Sequence, residues 1–243
     1  MTGLALVARA CREPLRAAYT LRAQVDRAGL MARYARLARV AGVSRLYCVL
    51  SFDCDTADDI AVAESVHDRL RALGVRPVYA VPGELLQEGA DVYRRIARRG
   101  GEFINHGQRR HTYYDTALGR YASCYFYDEQ GAAAVRDDVM AGDQTLRELL
   151  GIVPRGFRTP HFGTFQRPRQ LRFLHGLLRE LGYRYSTSTA PLYGFRYGPL
   201  FRRFGLTEIP VSGMADRPLT IQDSWGFFAA PDRCYGPDDY REQ

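Results

Sequence analysis

The residues able to do chemistry fall in three short stretches. Ser51-Phe52-Asp53-Cys54-Asp55 sets two carboxylates two positions apart, and in extended backbone such side chains point the same way. Close carboxylates repel and raise one pKa unless a cation or an arginine compensates, so the pair asks for a metal ion. Helix capping is the competing role, because Asp55, Asp58 and Asp59 precede a helical stretch. The second stretch, Asn105-His106-Gly107-Gln108-Arg109-Arg110-His111, offers two imidazoles as candidate metal ligands. A separation of five would set them about 140° apart on a helix, so they converge on one ion only from a loop, which Gly107 permits. In the third, Arg158-Thr159-Pro160-His161-Phe162-Gly163, the proline stops a strand and the arginine can reach a carboxylate across a shared mouth. An exposed surface turn is its plain alternative.

The elements that must position these stretches alternate. Leu46 to Phe52 reads as a strand and Asp59 to Leu73 as a helix stopped by Gly74. Pro77 to Val81 precedes a helix ending at Gly100-Gly101, and Glu102 to Asn105 a long helix near Asp128 to Leu150. Gly156 to Thr159 is followed by a helix near Pro168 to Leu181, then short strands at Tyr183 to Ser186 and Glu208 to Val211. This β-then-α grammar implies a parallel sheet. No dinucleotide-type glycine fingerprint follows the first strand, so the expected fold is a small, distorted parallel (β/α) barrel of about seven strands. Each reactive stretch then lies at the carboxyl end of a strand, where barrels carry their chemistry.

The net charge of +7 sits in residues 1–50, where nine arginines face Glu13 and Asp26. Residues 1–45 read as a basic, amphipathic helical extension of a domain spanning 46–243. A helix over 12–40 would gather Leu21, Val25, Ala28, Ala32 and Ala35 on one side, opposite Arg9, Arg16 and Arg27. It would either pack outside the domain with a solvated arginine face or lie peripherally on the inner face of a membrane; nucleic acid is not an expected partner. All 34 basic residues are arginine, which excludes lysine Schiff-base and P-loop chemistry. Five cysteines without a Cys-x-x-Cys pair favour a reducing compartment, and no signal-like or membrane-spanning run is evident, so a cytoplasmic location is expected. His67 and His175 lie on apolar helix stripes and read as packing residues.

The order of the three stretches resembles the polysaccharide deacetylase family, or NodB-homology group, over roughly Leu46 to Trp225. The family's first motif usually reads Thr-Phe-Asp-Asp-Gly, and some members carry an intervening residue, as here. The resemblance implies that Asp53 is the catalytic base, that Asp55, His106 and His111 hold one divalent ion, and that Arg158 orients the base. It further implies an oxyanion contact from the backbone N–H of His161. Zinc is the expected ion, with cobalt or nickel also compatible. The implied substrate is an N-acetylated carbohydrate, with Pro160 and the groove tryptophan Trp225 expected to line its site. Tyr114 belongs to an aromatic run after His111 whose rings either stack on a sugar face or pack in the core.

Two features depart from the family: the histidine spacing is five, and no histidine follows His175, where the family places a general acid near the carboxyl end. Three outcomes follow: a chain lacking the last element, another group such as His161 protonating the leaving amine, or a carbohydrate-binding pseudoenzyme. Hydrolysis of a non-sugar, cyclic amide is a further alternative on the same chemistry.

Overall fold

The computed structural model describes residues 13–224. They divide into two compact units, one of residues 46–188 with 202–207 and the other of residues up to 45 with 189–201 and those from 208 onward.

The larger unit is built on short parallel strands. β1 (Ser51–Asp53) pairs with β2 (Val78–Val81), β2 with β3 (Glu102–Asn105), β3 with β6 (Gly156–Phe157) and β6 with β7 (Tyr185–Ser186), all parallel. β8 (Thr207–Glu208) completes the sheet order β1-β2-β3-β6-β7-β8. The expected parallel α/β sheet is thus present, with six strands among the described residues. Among the described residues no strand pairing closes β1 onto β8. The first strand begins only at Ser51 because Leu46, Tyr47 and Val49 are exposed and buy no burial for a ladder.

The crossovers are α3 (Ala57–Ala72), the pair α4 (Gly83–Glu88) and α5 (Ala90–Arg98), α6 (Ala132–Leu150) and α7 (Pro168–Glu180). Tyr79, Leu85, Leu86, Tyr93, Ile96 and Phe103 form one apolar cluster. Val135, Val139, Phe157, Leu174, Leu178 and Tyr183 form a second. Each such side chain contributes about 1.5–3 kcal/mol on burial; by register Tyr79, Phe103 and Phe157 point to one face of the sheet, where both clusters lie. His67 and His175 are fully buried in this packing, His67 Nδ1 lying 3.1 Å from the Tyr79 hydroxyl. An antiparallel hairpin, β4 (Thr112–Asp115) with β5 (Arg120–Ser123), is an element the sequence reading treated only as an aromatic run.

In the smaller unit the helix expected over 12–40 is two helices, α1 (Pro14–Val25) and α2 (Arg27–Val40). The break is at Asp26, whose carboxylate accepts from Gly29 N at 2.9 Å and so caps α2. The buried side is also not the expected one: Leu30 is fully buried, whereas Leu21 and Val25 face solvent. Tyr34 of α2 packs on Phe195 of α8 (Pro191–Tyr197), ring centroids 5.2 Å apart. Among the described residues no helix is long and apolar enough to cross a membrane.

Candidate metal centre

Adjacent strand ends bring the three stretches together. Asn105, the last residue of β3, is paired with Phe157, the last of β6, so His106 and Arg158 emerge side by side. Arg158 N donates to Asn105 O at 2.9 Å, and His106 Nδ1 lies 2.7 Å from Arg158 O. A carbonyl oxygen only accepts, so Nδ1 carries the hydrogen in the neutral ring and Nε2 keeps its lone pair. That lone pair faces Asp55, with His106 Nε2 3.4 Å from Asp55 Oδ1.

His111 Nε2 lies 2.9 Å from the same Asp55 oxygen, and its ring stands edge-on to His106 with centroids 4.6 Å apart. The two histidines converge because residues 106–111 form a loop, in which Gly107 takes φ +80. A Cβ at Gly107 would sit 2.3 Å from Asp138 Oδ2 and 2.8 Å from the Tyr127 hydroxyl, so the loop is pressed against that pair. Asp138 accepts from Arg109 N at 2.9 Å and from the Tyr127 hydroxyl at 2.6 Å.

One ligand atom from each of Asp55, His106 and His111 lies within 4.8 Å of the others. Asp55 Oδ1 and both Nε2 atoms are buried without a hydrogen-bond partner, an arrangement that costs free energy unless something binds there. Two imidazoles, one fixed through its far nitrogen, and one carboxylate suit a divalent ion of the zinc type. Burial raises the Asp55 pKa, but His111 and His106 outweigh it and hold the carboxyl well below the usual range. For His106 burial works downward, and the neighbouring Asp55 carboxylate with the charge of Asp53 raises the ring above its ordinary value.

Capping of α3 falls to Thr56 and Asp59: Thr56 Oγ1 accepts from Asp59 N at 3.3 Å, and Asp59 Oδ2 accepts from Thr56 N at 2.8 Å. Asp55 therefore faces the histidines rather than the helix. Asp53 has a different partner, Arg158, whose Nη1 is 2.5 Å from Asp53 Oδ1 and 2.9 Å from Ser51 Oγ. Arg158 is buried and also reaches Thr187 Oγ1 at 3.3 Å. Ser51 and Thr187 escaped the sequence reading. Ser51 was visible as the same-face neighbour of Asp53, whereas nothing local marks Thr187.

His161 follows Pro160 with φ +59. Its Nε2 is 2.7 Å from Cys124 O, and its ring stands edge-on to His111 with centroids 5.0 Å apart. Burial lowers its pKa, the Cys124 carbonyl working against this. Tyr114 lies on the hairpin, half exposed and edge-on to Tyr121 at 5.2 Å. Trp225 lies outside the described residues.

No protein-family model matches the chain, and no curated protein matches it. Solved structures do. A candidate polysaccharide deacetylase from Mycobacterium smegmatis is 20% identical with a TM-score of 0.48, the match covering 78% of this chain and 64% of that one. The BpsB deacetylase domain from Bordetella bronchiseptica is 20% identical with a TM-score of 0.47, covering 72% of this chain and 74% of that one. A CE4 family pseudoenzyme from Bacillus anthracis is 14% identical with a TM-score of 0.42, covering 58% of this chain and 41% of that one. The chain thus spans just under two thirds of the first of these proteins.

Proposed function

We propose that the chain is a metal-dependent hydrolase of a non-peptide carbon–nitrogen bond, acting as a deacetylase of an N-acetylated sugar or polysaccharide. The observation that carries this reading is the convergence of three unpartnered buried ligand atoms, on Asp55, His106 and His111, beside an Asp53 held by Arg158. Separate partners support separate work for the two aspartates: Asp55 faces imidazoles, and Asp53 faces a guanidinium.

A bound ion, most simply zinc, supplies Lewis acidity to the amide carbonyl and brings water towards a pKa near neutrality. Asp53 accepts the proton that the attacking water loses. Arg158 holds Asp53 aligned, itself fixed by Ser51 and Thr187. Pro160 and His161 bend the chain at the mouth, and the His161 backbone N–H is offered to the developing oxyanion. The sugar substrate class rests on the motif resemblance, and the half-exposed Tyr113 and Tyr114 offer rings on which a sugar face could stack.

The test is acetate release from N-acetylated chito-oligosaccharides by the zinc-loaded chain, with a chelated sample and a cyclic amide assayed beside it. Acetate release that depends on metal supports the proposal. Turnover confined to the cyclic amide moves the substrate class, and no turnover on either refutes the enzyme.

One observation favours a second reading, a carbohydrate-binding pseudoenzyme. The last histidine of the sequence, His175, is fully buried in the core and lies 3.4 Å from Leu206 N, so it is not presented to a substrate. Metal and sugar binding without acetate release would select that reading.

A further inference from the structure

We infer that the helical pair α1–α2 is a docking surface for a membrane bearing anionic lipid. The proposal is independent of the metal centre and starts from an inverted amphipathic helix. In α1 the exposed side carries Leu15, Ala18, Leu21 and Val25, spaced as one stripe of a helix, while no residue of α1 is buried. A stripe of this kind is ordinarily the side a helix packs on. In α2 the buried side is Leu30 with the partly covered Tyr34 and Leu37, and the exposed side presents Ala28, Met31, Ala32 and Ala35 beside Arg36 and Arg39.

The charge on this pair selects the occupant. Residues 13–45 hold seven arginines against two acids, a net of +5. Both acids are answered within the segment, Glu13 lying 3.8 Å from Arg16 and Asp26 3.7 Å from Arg22. Among the described residues neither Arg36 nor Arg39 has an acidic partner. A hollow of about 340 Å³ is lined by Arg22 of α1 and by Gly29, Ala32, Arg33, Arg36 and Arg39 of α2. Arg33 donates to Arg196 O at 3.4 Å through Nη2, yet its Nε is buried with no partner. Of the arginines lining it, Arg22 already faces Asp26 and Arg33 donates to Arg196 O, which leaves Arg36 and Arg39 to meet phosphate oxygens with paired N–H donors.

Apolar residues and arginines dominate this surface, and its two exposed acids, Glu13 and Asp26, each lie beside an arginine, a composition that suits a helix lying in the headgroup plane. Arginines seat on lipid phosphates while Leu15, Leu21 and Val25 enter the acyl boundary. A second protein copy would bring a like charge against the same face, and so fits less well.

The test is co-sedimentation of the full chain with phosphatidylglycerol–phosphatidylcholine vesicles against pure phosphatidylcholine vesicles, at low and high salt. Binding is expected on the anionic vesicles alone and to weaken as salt rises. Each arginine near such a surface is worth about fivefold in partitioning, so Arg36→Gln with Arg39→Gln should lower binding by roughly 25-fold. Leu21→Ser with Val25→Ser should lower it while leaving the salt dependence in place, which separates insertion from charge alone. Inorganic phosphate at the same ionic strength as a chloride control should displace the chain no better than chloride. Equal binding to neutral vesicles, or undiminished binding by the Arg36/Arg39 variant with its circular dichroism unchanged, overturns the proposal. So does chain self-association seen by light scattering without vesicle binding.

Discussion

Arg158 and Asp53 are in contact, Nη1 to Oδ1 at 2.5 Å, although three strand spacings separate β6 from β1 in the sheet order. In a flat sheet those spacings sum to roughly 14 Å, farther than an arginine side chain reaches. The contact therefore requires the sheet to curl about its strand ends, the geometry of a barrel mouth. Curvature and site are one feature: Asp53 and Arg158 meet only because β1 and β6 bend towards each other. Arg158→Ala should therefore lower both turnover and stability, leaving Asp53 without its partner. Thermal unfolding should show a loss smaller than the ~3–5 kcal/mol of a fully buried pair, because the Asp53 side chain is one-fifth exposed.

Gly107→Ala tests the loop that carries the histidines. A residue with a Cβ is disfavoured at φ +80 by about 1–2 kcal/mol, and the new methyl would also meet Asp138 and Tyr127. The segment 106–111 must then shift, and zinc affinity by isothermal titration should fall while the secondary structure persists. Unchanged affinity would mean that the two histidines are not held by this loop for binding.

His106→Ala should abolish retention of a divalent ion, measured as metal per chain after dialysis. A wild-type chain that folds and shows no affinity for zinc, cobalt or nickel would remove the metalloenzyme reading altogether. The pH dependence has a definite sign. Contact with Asp55 raises the His106 pKa in the metal-free chain, so an ion competes with a proton for that nitrogen. Affinity should be highest at a pH above the raised value and fall as the solution is acidified through it, with protons released on binding. Affinity flat across that window would show that His106 is not a ligand.

Much of this site was legible before the structure because each reactive stretch carries its own local signal. The spacing of Asp53 and Asp55 aims two carboxylates one way, the glycine between His106 and His111 permits a loop, and Pro160 stops a strand just past Arg158. Less legible were features set at a distance. Thr187 joins Arg158 through the pairing of β7 with β6, Ser186 opposite Phe157, and β4–β5 hid among aromatics whose cross-strand pairing, Tyr114 with Tyr121, is not a local property. The break at Asp26 was readable in principle, since an aspartate three residues before Gly29 is a helix cap. The alanine-rich periodicity on both sides concealed it.

The helical extension also changes its expected behaviour. A detachable appendage over residues 1–40 would come away with little effect on chemistry. Instead, Leu30 is buried and Tyr34 rests on Phe195. Deleting residues 1–40 should expose that ring and the surface around Gly194, against which Tyr34 lies. The truncated chain should be less stable or aggregate, seen as a lower thermal midpoint. An unchanged midpoint would return the extension to the status of an appendage.

The sharpest prediction separates the two aspartates. Asn at position 53 preserves size and can still accept from Arg158, but it cannot take up a proton near neutral pH. Asp53→Asn should accordingly keep its ion and lose turnover by about 10²–10⁴-fold, the usual contribution of a general base. Asp55→Asn should act in the opposite order, because the lost charge lies 2.9 Å from His111 Nε2 and 3.4 Å from His106 Nε2, where the ion would sit. Its metal affinity should weaken first, with turnover recovering in part when excess zinc is supplied. Metal loss in Asp53→Asn with full retention in Asp55→Asn would exchange the two roles. Deacetylation undiminished in both variants would mean that neither carboxylate takes part, and that the water is activated elsewhere.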